Sequence, residues 1–231
     1  MKIISHRGKI NKIKNEENNL VCIYNFLESE ISMIEIDIQL TKDNEIILYH
    51  NDYLEDTKYL LSELNSNYLI KNYNMILLKD VLDMIKGTKE IYLDIKNNNL
   101  KKYQYKFFFD ELLKLLDSYI LKYKCERSSI YICSFYPEYI NYILSIPFNY
   151  KKGIIIDDTN LSYFNEKYNS IKDIIYFVSI DYKILESINY LFGKTIFCYT
   201  VNDISIFNEL KINKSLNGII TDLPELFINE Q

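Results

Sequence analysis

Glu35 and Asp37 stand two residues apart in the apolar run Met33 to Thr41, reading MIEIDIQLT. Side chains alternate along a β-strand with period two, so a strand here projects both carboxylates from one face, where they form a candidate cation site. Thr41-Lys42-Asp43-Asn44 then turns the chain before a second apolar run, Glu45 to Tyr49, which ends on His50. His50 is one of only 2 histidines in the chain. So short a connection permits an antiparallel return and excludes a parallel crossover, so the second run carries His50 back toward the carboxylates. A third strand, Glu90 to Lys96 (EIYLDIK), places Asp94 and Lys96 on a shared face by the same alternation.

The elements that must position these groups follow from hydrophobic period and punctuation. Lys2 to Ser5 reads as a strand leaving sharply through His6-Arg7-Gly8. Asn19 is the N-cap of a helix from about Leu20 to Glu30, whose Val21, Tyr24, Leu27 and Ile31 are spaced to bury one face. Asp52 to Tyr73 is irregular or weakly helical, and a helix over Leu78 to Lys86 closes at Gly87. Lys101 to Lys122 is the longest helix. Further strands are expected at Ser129 to Phe135, Lys152 to Ile156, Ile174 to Asp181, Thr195 to Val201 and Asn217 to Asp222. Helices follow over Pro137 to Ser145, Leu161 to Ile171 and Tyr182 to Phe192, then one capped by Asn202 or Asp203, and a closing segment Pro224 to Ile228.

Apart from the arm that returns to His50, the count is eight strands, each followed by a helix. That is the pattern of an α/β (β/α)8 TIM barrel with a short β-hairpin excursion after the second strand, spanning residues 1–231 as one domain. An open doubly wound sheet lacks support, because no glycine-rich phosphate turn follows the first strand. In a barrel the chemistry belongs at the C-terminal ends of the strands. His6-Arg7, Glu35, Asp37, Asp94, Lys96, Ser134, Asp181, Tyr199-Thr200 and Asp222 all fall there.

The chain has 231 residues and a net charge of -5, with 48% hydrophobic and 26% charged residues. This balance fits a globular protein and gives no basic surface for coating nucleic acid. Asn97 to Lys106 is locally cationic and reads as a solvated helix start. The polar stretch Asn11 to Asn19 is flanked by apolar runs that recur along the whole chain. Four cysteines without C-x-x-C spacing, three inside apolar runs, read as reduced core thiols. With no long apolar leader and no uncharged stretch of membrane-spanning length, a cytoplasmic protein is expected, for which transient membrane contact stays open.

Taken together in order, His6-Arg7-Gly8, Glu17-Asn18-Asn19, Glu35-Ile-Asp37, Thr41-Lys42-Asp43-Asn44 and His50-Asn51-Asp52 resemble the motifs of the glycerophosphodiester phosphodiesterase family. Asp94-Ile-Lys96, Ser134-Phe135, Tyr199-Thr-Val-Asn202 and Gly218-Ile-Ile-Thr-Asp222 continue the resemblance over nearly the whole chain. Asp94 stands where the family has Glu, Tyr199 replaces a tryptophan, and Lys14-Asn15-Glu16 lacks the family's proline. Asn44 replaces a turn glycine and tolerates left-handed backbone.

The resemblance implies that Glu35, Asp37 and Asp94 bind one divalent cation. Three carboxylates without a thiolate favour Mg2+ or Ca2+ over zinc. It implies an acid–base pair, His6 and His50, since imidazole suits proton transfer near neutral pH. Arg7 and Lys96 would offset phosphate charge, fix the carboxylates by pairing with them, or both. Glu17 and Asn18 would support the ligands, while Phe135 and Tyr199 would line the substrate pocket. The expected reaction is hydrolysis of a small-molecule glycerophosphodiester to sn-glycerol 3-phosphate and an alcohol. Two alternatives stand beside it: a lysophospholipase D with an apolar ramp over Leu54 to Ile70 and Leu161 to Phe164, and a catalytically weakened barrel that binds a phosphorylated ligand.

Overall fold

β-Branched runs at intervals of a few tens of residues build a single sheet in the computed structural model, which describes residues 1–10, 17–55, 57–96, 100–146, 149–188, 191 and 193–228. Its strands are β1 (Lys2–Ser5), β2 (Met33–Leu40), β3 (Ile46–Leu48), β4 (Glu90–Ile95), β5 (Ile130–Cys133), β6 (Lys151–Ile156), β7 (Phe177–Asp181), β8 (Thr195–Tyr199) and β9 (Leu216–Thr221). The spatial order is β1-β9-β8-β7-β6-β5-β4-β2, and β1 pairs with β2 to close the ring. Every pairing within the ring is parallel, whereas β3 lies antiparallel against β2. The protein is therefore a closed (β/α)8 barrel with the expected hairpin excursion.

The connections carry α1 (Leu20–Glu28), α2 (Ser66–Tyr73), α3 (Leu78–Ile85), α4 (Lys102–Tyr123), α5 (Pro137–Ser145), α6 (Leu161–Ile171), α7 (Ile204–Lys211) and α8 (Pro224–Ile228). Asn19 caps α1 by accepting from the Cys22 backbone N–H. The buried face of α1 is only partly the expected one: Ile31 is buried and Leu27 packs on the core, but Val21 and Tyr24 are exposed, and Cys22, Ile23 and Phe26 are buried instead. Apolar residues almost surround this helix, so its own period allows several faces and packing against the barrel selects one. After β7 the chain forms a 3-10 segment, Tyr182–Ile188, in place of the expected α-helix to Phe192. Tyr182, Leu185 and Ile188, spaced by three, all pack on the core, which suits a helix of three residues per turn. Residues 189, 190 and 192 lie outside the described residues, as do 11–16 and 97–99, on which parts of the two polar runs and the motif positions 14–16 fall.

Two apolar layers follow from strand alternation. One face of each strand packs under the helices. The other fills the barrel with Ile4, Met33, Tyr92, Tyr131, Cys133, Ile155, Phe177, Phe197 and Ile220. Tyr92 donates its hydroxyl to Ser179 Oγ at 2.8 Å, so this aromatic plug buries no unpaired phenol. Cys22, Cys133 and Cys198 are buried and form no disulfide, as the apolar runs around them predict.

A third, smaller core lies beneath the excursion, where Ile47, Leu54, Leu61, Leu69, Met75 and Leu77 are buried together. Only part of the expected apolar ramp is therefore at the surface: Tyr59, Tyr68 and Ile70 are exposed. Leu54, Leu61 and Leu69 are turned inward to hold β3, and Phe164 belongs to the main core. Asp43 fastens the hairpin turn to α2 by accepting from the Ser66 N–H and Oγ, each at 2.8 Å.

Gly153 is set by contact rather than by a turn. A Cβ there would lie 2.4 Å from the fully buried Phe177 ring. Gly153→Ala should lower the unfolding free energy by about 1–3 kcal/mol. Adding Phe177→Leu should recover part of that loss; equal urea midpoints for Gly153→Ala and wild type would exclude the clash.

Candidate active site

The β2–β4 register builds the acidic centre. Glu35 and Asp37 project into the barrel from β2, and Asp37 pairs directly with Asp94 across the parallel ladder. One carboxylate oxygen from each of Glu35, Asp37 and Asp94 lies within 4.8 Å of the others, and all three residues are buried. Asp94, one methylene shorter than the family's Glu, still reaches the cluster. Among the described residues its Oδ1 is buried without a hydrogen-bond partner, an oxygen that a cation would satisfy. The donor set of three carboxylates therefore fits a hard divalent ion.

Compensation comes from three directions. Lys96 Nζ lies 2.7 Å from Asp94 Oδ2 and 3.4 Å from Asp37 Oδ1. Arg7 donates its backbone N–H to Glu35 Oε2 at 2.8 Å, and its Nη1 to Glu17 Oε1 at 2.7 Å. Its Nε sits 3.2 Å from Asp37 Oδ2, within ion-pair reach but off the hydrogen-bond line. Arg7 adopts a left-handed backbone, φ 55°, which turns its N–H inward. Asn18 completes the set: its Nδ2 donates to Asp37 Oδ2 at 2.7 Å, and its Oδ1 accepts from the Asp37 N–H at 3.2 Å. The two motifs after β1 thus meet the motif in β2.

These contacts divide the acids electrically. Burial together with repulsion from Asp37 and Asp94 raises the Glu35 carboxyl well above its usual range. Burial also raises Asp94, to about 6, against the opposing pull of Lys96. Burial would raise Asp37 too, but the charges of Lys96 and Arg7 outweigh it and hold this carboxyl at about 2.

The two histidines reach the same cavity from opposite ends of the chain. His6 Nδ1 contacts Asp222 Oδ1 at 2.8 Å, leaving Nε2 4.0 Å from Glu35 Oε2. Burial would raise Asp222, but the hydrogen bond and charge of His6, the Asn202 amide and Lys9 hold its carboxyl far below the usual range. An ionised Asp222 accepts, so His6 Nδ1 carries the proton in this contact. Asn202 braces Asp222, donating Nδ2 to Oδ2 at 2.6 Å, and is free to do so because Asp203 caps α7. His50 Nδ1 contacts Asn51 Oδ1 at 2.8 Å. Burial depresses the His50 pKa, partly opposed by Asp37. Gln39, two residues beyond Asp37 on the same face, donates to the carbonyls of Tyr49 and Asn51 on either side of His50.

A cavity of about 160 Å3 is lined by the nine residues expected to bind the cation, exchange protons or contact substrate: His6, Arg7, Glu35, Asp37, His50, Asp94, Lys96, Phe135 and Tyr199. Lys96 also lies 4.7 Å from the centre of the Phe135 ring, and Tyr199 donates its hydroxyl to the Ile156 carbonyl at 2.8 Å. Sequence reasoning assigned no part in positioning the histidines to Gln39, Asn202 or Asp222, and offered Asn202 only as an alternative helix cap to Asp203, which is the one that caps α7. The first is legible as a continuation of the Glu35-Asp37 face, and the third as a carboxylate at the end of the last strand.

Fold and site together define a (β/α)8 barrel with an acidic, cation-competent pocket at the C-terminal ends of its strands. The glycerophosphoryl diester phosphodiesterase family matches residues 6–226, and the chain belongs to that family. Its fold is similar to that of a glycerophosphodiester phosphodiesterase from Thermotoga maritima, at 20% identity and a TM-score of 0.79, covering 99% of this chain and 97% of the other. An Oleispira antarctica phosphodiesterase, solved in complex with the product sn-glycerol-3-phosphate, gives 17% and 0.79 with 99% and 96% covered. A Parabacteroides distasonis glycerophosphodiester phosphodiesterase gives 17% and 0.81 with 99% and 95% covered. No curated protein matches the sequence significantly.

The split among the acids has a consequence for stability before any ion binds. Glu35 and Asp94 have folded pKa values above the unfolded value of about 4, so their contribution is present below that pH and lost as pH rises, for Asp94 through about 6 and for Glu35 through its own raised value. Asp37 is ionised in both states across this window. An ion that binds the triad must displace the protons held there at lower pH. The rise in melting temperature on replacing chelator with millimolar Mg2+ or Ca2+ should therefore be larger at pH 7.5 than at pH 5, and should shrink in Asp94→Asn. An equal rise at both pH values would contradict the linkage.

Proposed function

We propose that the protein hydrolyses glycerophosphodiesters to sn-glycerol 3-phosphate and an alcohol, using one divalent cation, Mg2+ or Ca2+, and the pair His6 and His50. The observation that carries this reading is the convergence of two imidazoles, three carboxylates and two cationic side chains on one small cavity. Family membership and the product complex of the Oleispira protein support the substrate class. Among the described residues no helix is long and apolar enough to cross a membrane. The cysteines, none of them in a disulfide, support a reducing, cytoplasmic setting, and the acidic balance gives no support to a nucleic-acid partner.

Phosphodiester hydrolysis requires a proton removed from the attacking oxygen and another supplied to the leaving alcohol. Burial lowers the His50 pKa and so favours the neutral imidazole that can accept a proton at neutral pH. Its Asn51 contact occupies Nδ1 and leaves Nε2 for the substrate. His6 is held by Asp222 through Nδ1, leaving Nε2 as the atom that exchanges a proton with the opposite oxygen. Arg7 and Lys96, each already matched to carboxylates, bring positive charge to the wall against which the phosphoryl group must lie. Glu35, Asp37 and Asp94 would hold the cation, which supplies further positive charge to the phosphoryl oxygens. Phe135 and Tyr199 pack edge to face at 5.7 Å and offer the substrate carbons an apolar side.

His6→Ala and His50→Ala should each lower kcat/KM for glycerophosphodiesters by about 100-fold or more, and chelator should abolish turnover of the wild type. Full turnover in either folded variant would refute the acid–base pair. Asp222→Asn tests the orientation of His6 separately: kcat should fall at least about tenfold while KM stays close to wild type. A change confined to KM would assign Asp222 to substrate binding instead.

A further inference from the structure

The central cavity, at about 160 Å3, holds the catalytic and charge-matching side chains. Beside its mouth runs an open groove of about 480 Å3 that shares His50 and Lys96 with the cavity. The remaining wall is formed by the segment after His50, with Asp52, Tyr53 and Glu55, and by Tyr136 from the start of α5.

Two features of this wall select for charge. The Asp52 and Glu55 carboxylates make no ion pair with any described residue, whereas the cations at the inner end are matched: Lys96 lies against Asp94 and Asp37. The Tyr53 ring is 52% exposed, although the neighbouring Leu54 is 2% exposed and anchored in the small core. The backbone that presents these groups is pinned on both sides. The Leu61 N–H donates to the Asp52 carbonyl at 3.1 Å, the Leu54 N–H to the Tyr59 carbonyl at 3.1 Å, and the Tyr49 hydroxyl to the Tyr53 carbonyl at 3.2 Å.

We infer that this groove receives the second alcohol of the diester and favours an alcohol carrying an ammonium or quaternary ammonium group. A cation there gains the field of two unmatched carboxylates and can lie against a phenol face. An anionic headgroup is repelled, and a neutral polyol gains neither contribution. The inference rests on the phosphodiesterase reading and adds to it the group that decides between substrates.

The test compares kcat/KM for sn-glycero-3-phosphocholine and sn-glycero-3-phosphoglycerol, with saturating Mg2+ at low salt, in the wild type, in the double variant Asp52→Asn/Glu55→Gln and in Tyr53→Ala. The wild type should favour the choline diester by about tenfold. The double variant should lose about threefold to tenfold on the choline diester through KM, Tyr53→Ala should lose a smaller factor, and the glycerol diester should be unaffected. Raising the salt should erase the wild-type preference. Equal losses on both substrates, or none on either, would overturn the groove assignment while turnover of the glycerol diester upheld the phosphodiesterase reading. Absence of turnover on both substrates would overturn the two together.

Discussion

The repulsion and dehydration of three carboxylates buried in one barrel mouth is the constraint that the surrounding structure answers. Left unmatched, such a cluster would protonate or draw in water, since burying a charge without a partner costs several kcal/mol or more. Arg7, Lys96 and Asn18 come from three separate segments, and each meets a different part of the cluster. Among the described residues, one buried oxygen of the cluster, Oδ1 of Asp94, is left without a hydrogen bond. The site is arranged so that the protein alone almost satisfies it and a cation would finish the task.

The imidazoles are held by means that do not depend on each other. His6 is fixed by the last barrel strand through Asp222, and Asn202 behind it ties in the end of β8. The pairing of β1 with β9 is thus what orients His6. His50 depends on the excursion, whose short β3 is supported by its own apolar cluster and by Gln39 reaching across from β2. An insertion that looks like a decoration on the barrel is in this protein a second small core whose task is to set one side chain.

Beneath the polar mouth, the inside of the barrel is filled with aromatic residues and closed to water. The polar cluster therefore has a low-dielectric floor, which strengthens its ion pairs and raises Glu35 and Asp94 at the same time. The mouth faces the opposite condition, open and acidic, so charge selection belongs there and bond chemistry belongs below.

Period-two alternation made the Glu35-Asp37 and Asp94-Lys96 faces legible in the sequence, because strand geometry leaves no other choice once the strands are given. The length of the turn at Thr41 to Asn44 likewise determined the antiparallel return of His50. Asn44, in a left-handed backbone at φ 67°, behaves as its residue type allows. Helix α1 is the contrary case: with apolar residues on nearly every side, its buried face was decided by the barrel and not by its own period. The segment after β7 took three-residue turns for the same reason. Likewise, the pairings of Asp222 with His6, of Asn18 with Asp37 and of Arg7 with Glu35 and Glu17 join residues that no local pattern connects. Residue types and spacing determined which groups the site contains; only closure of the ring decided which atoms touch, because long-range register brings chain ends together and sequence period acts over a few residues.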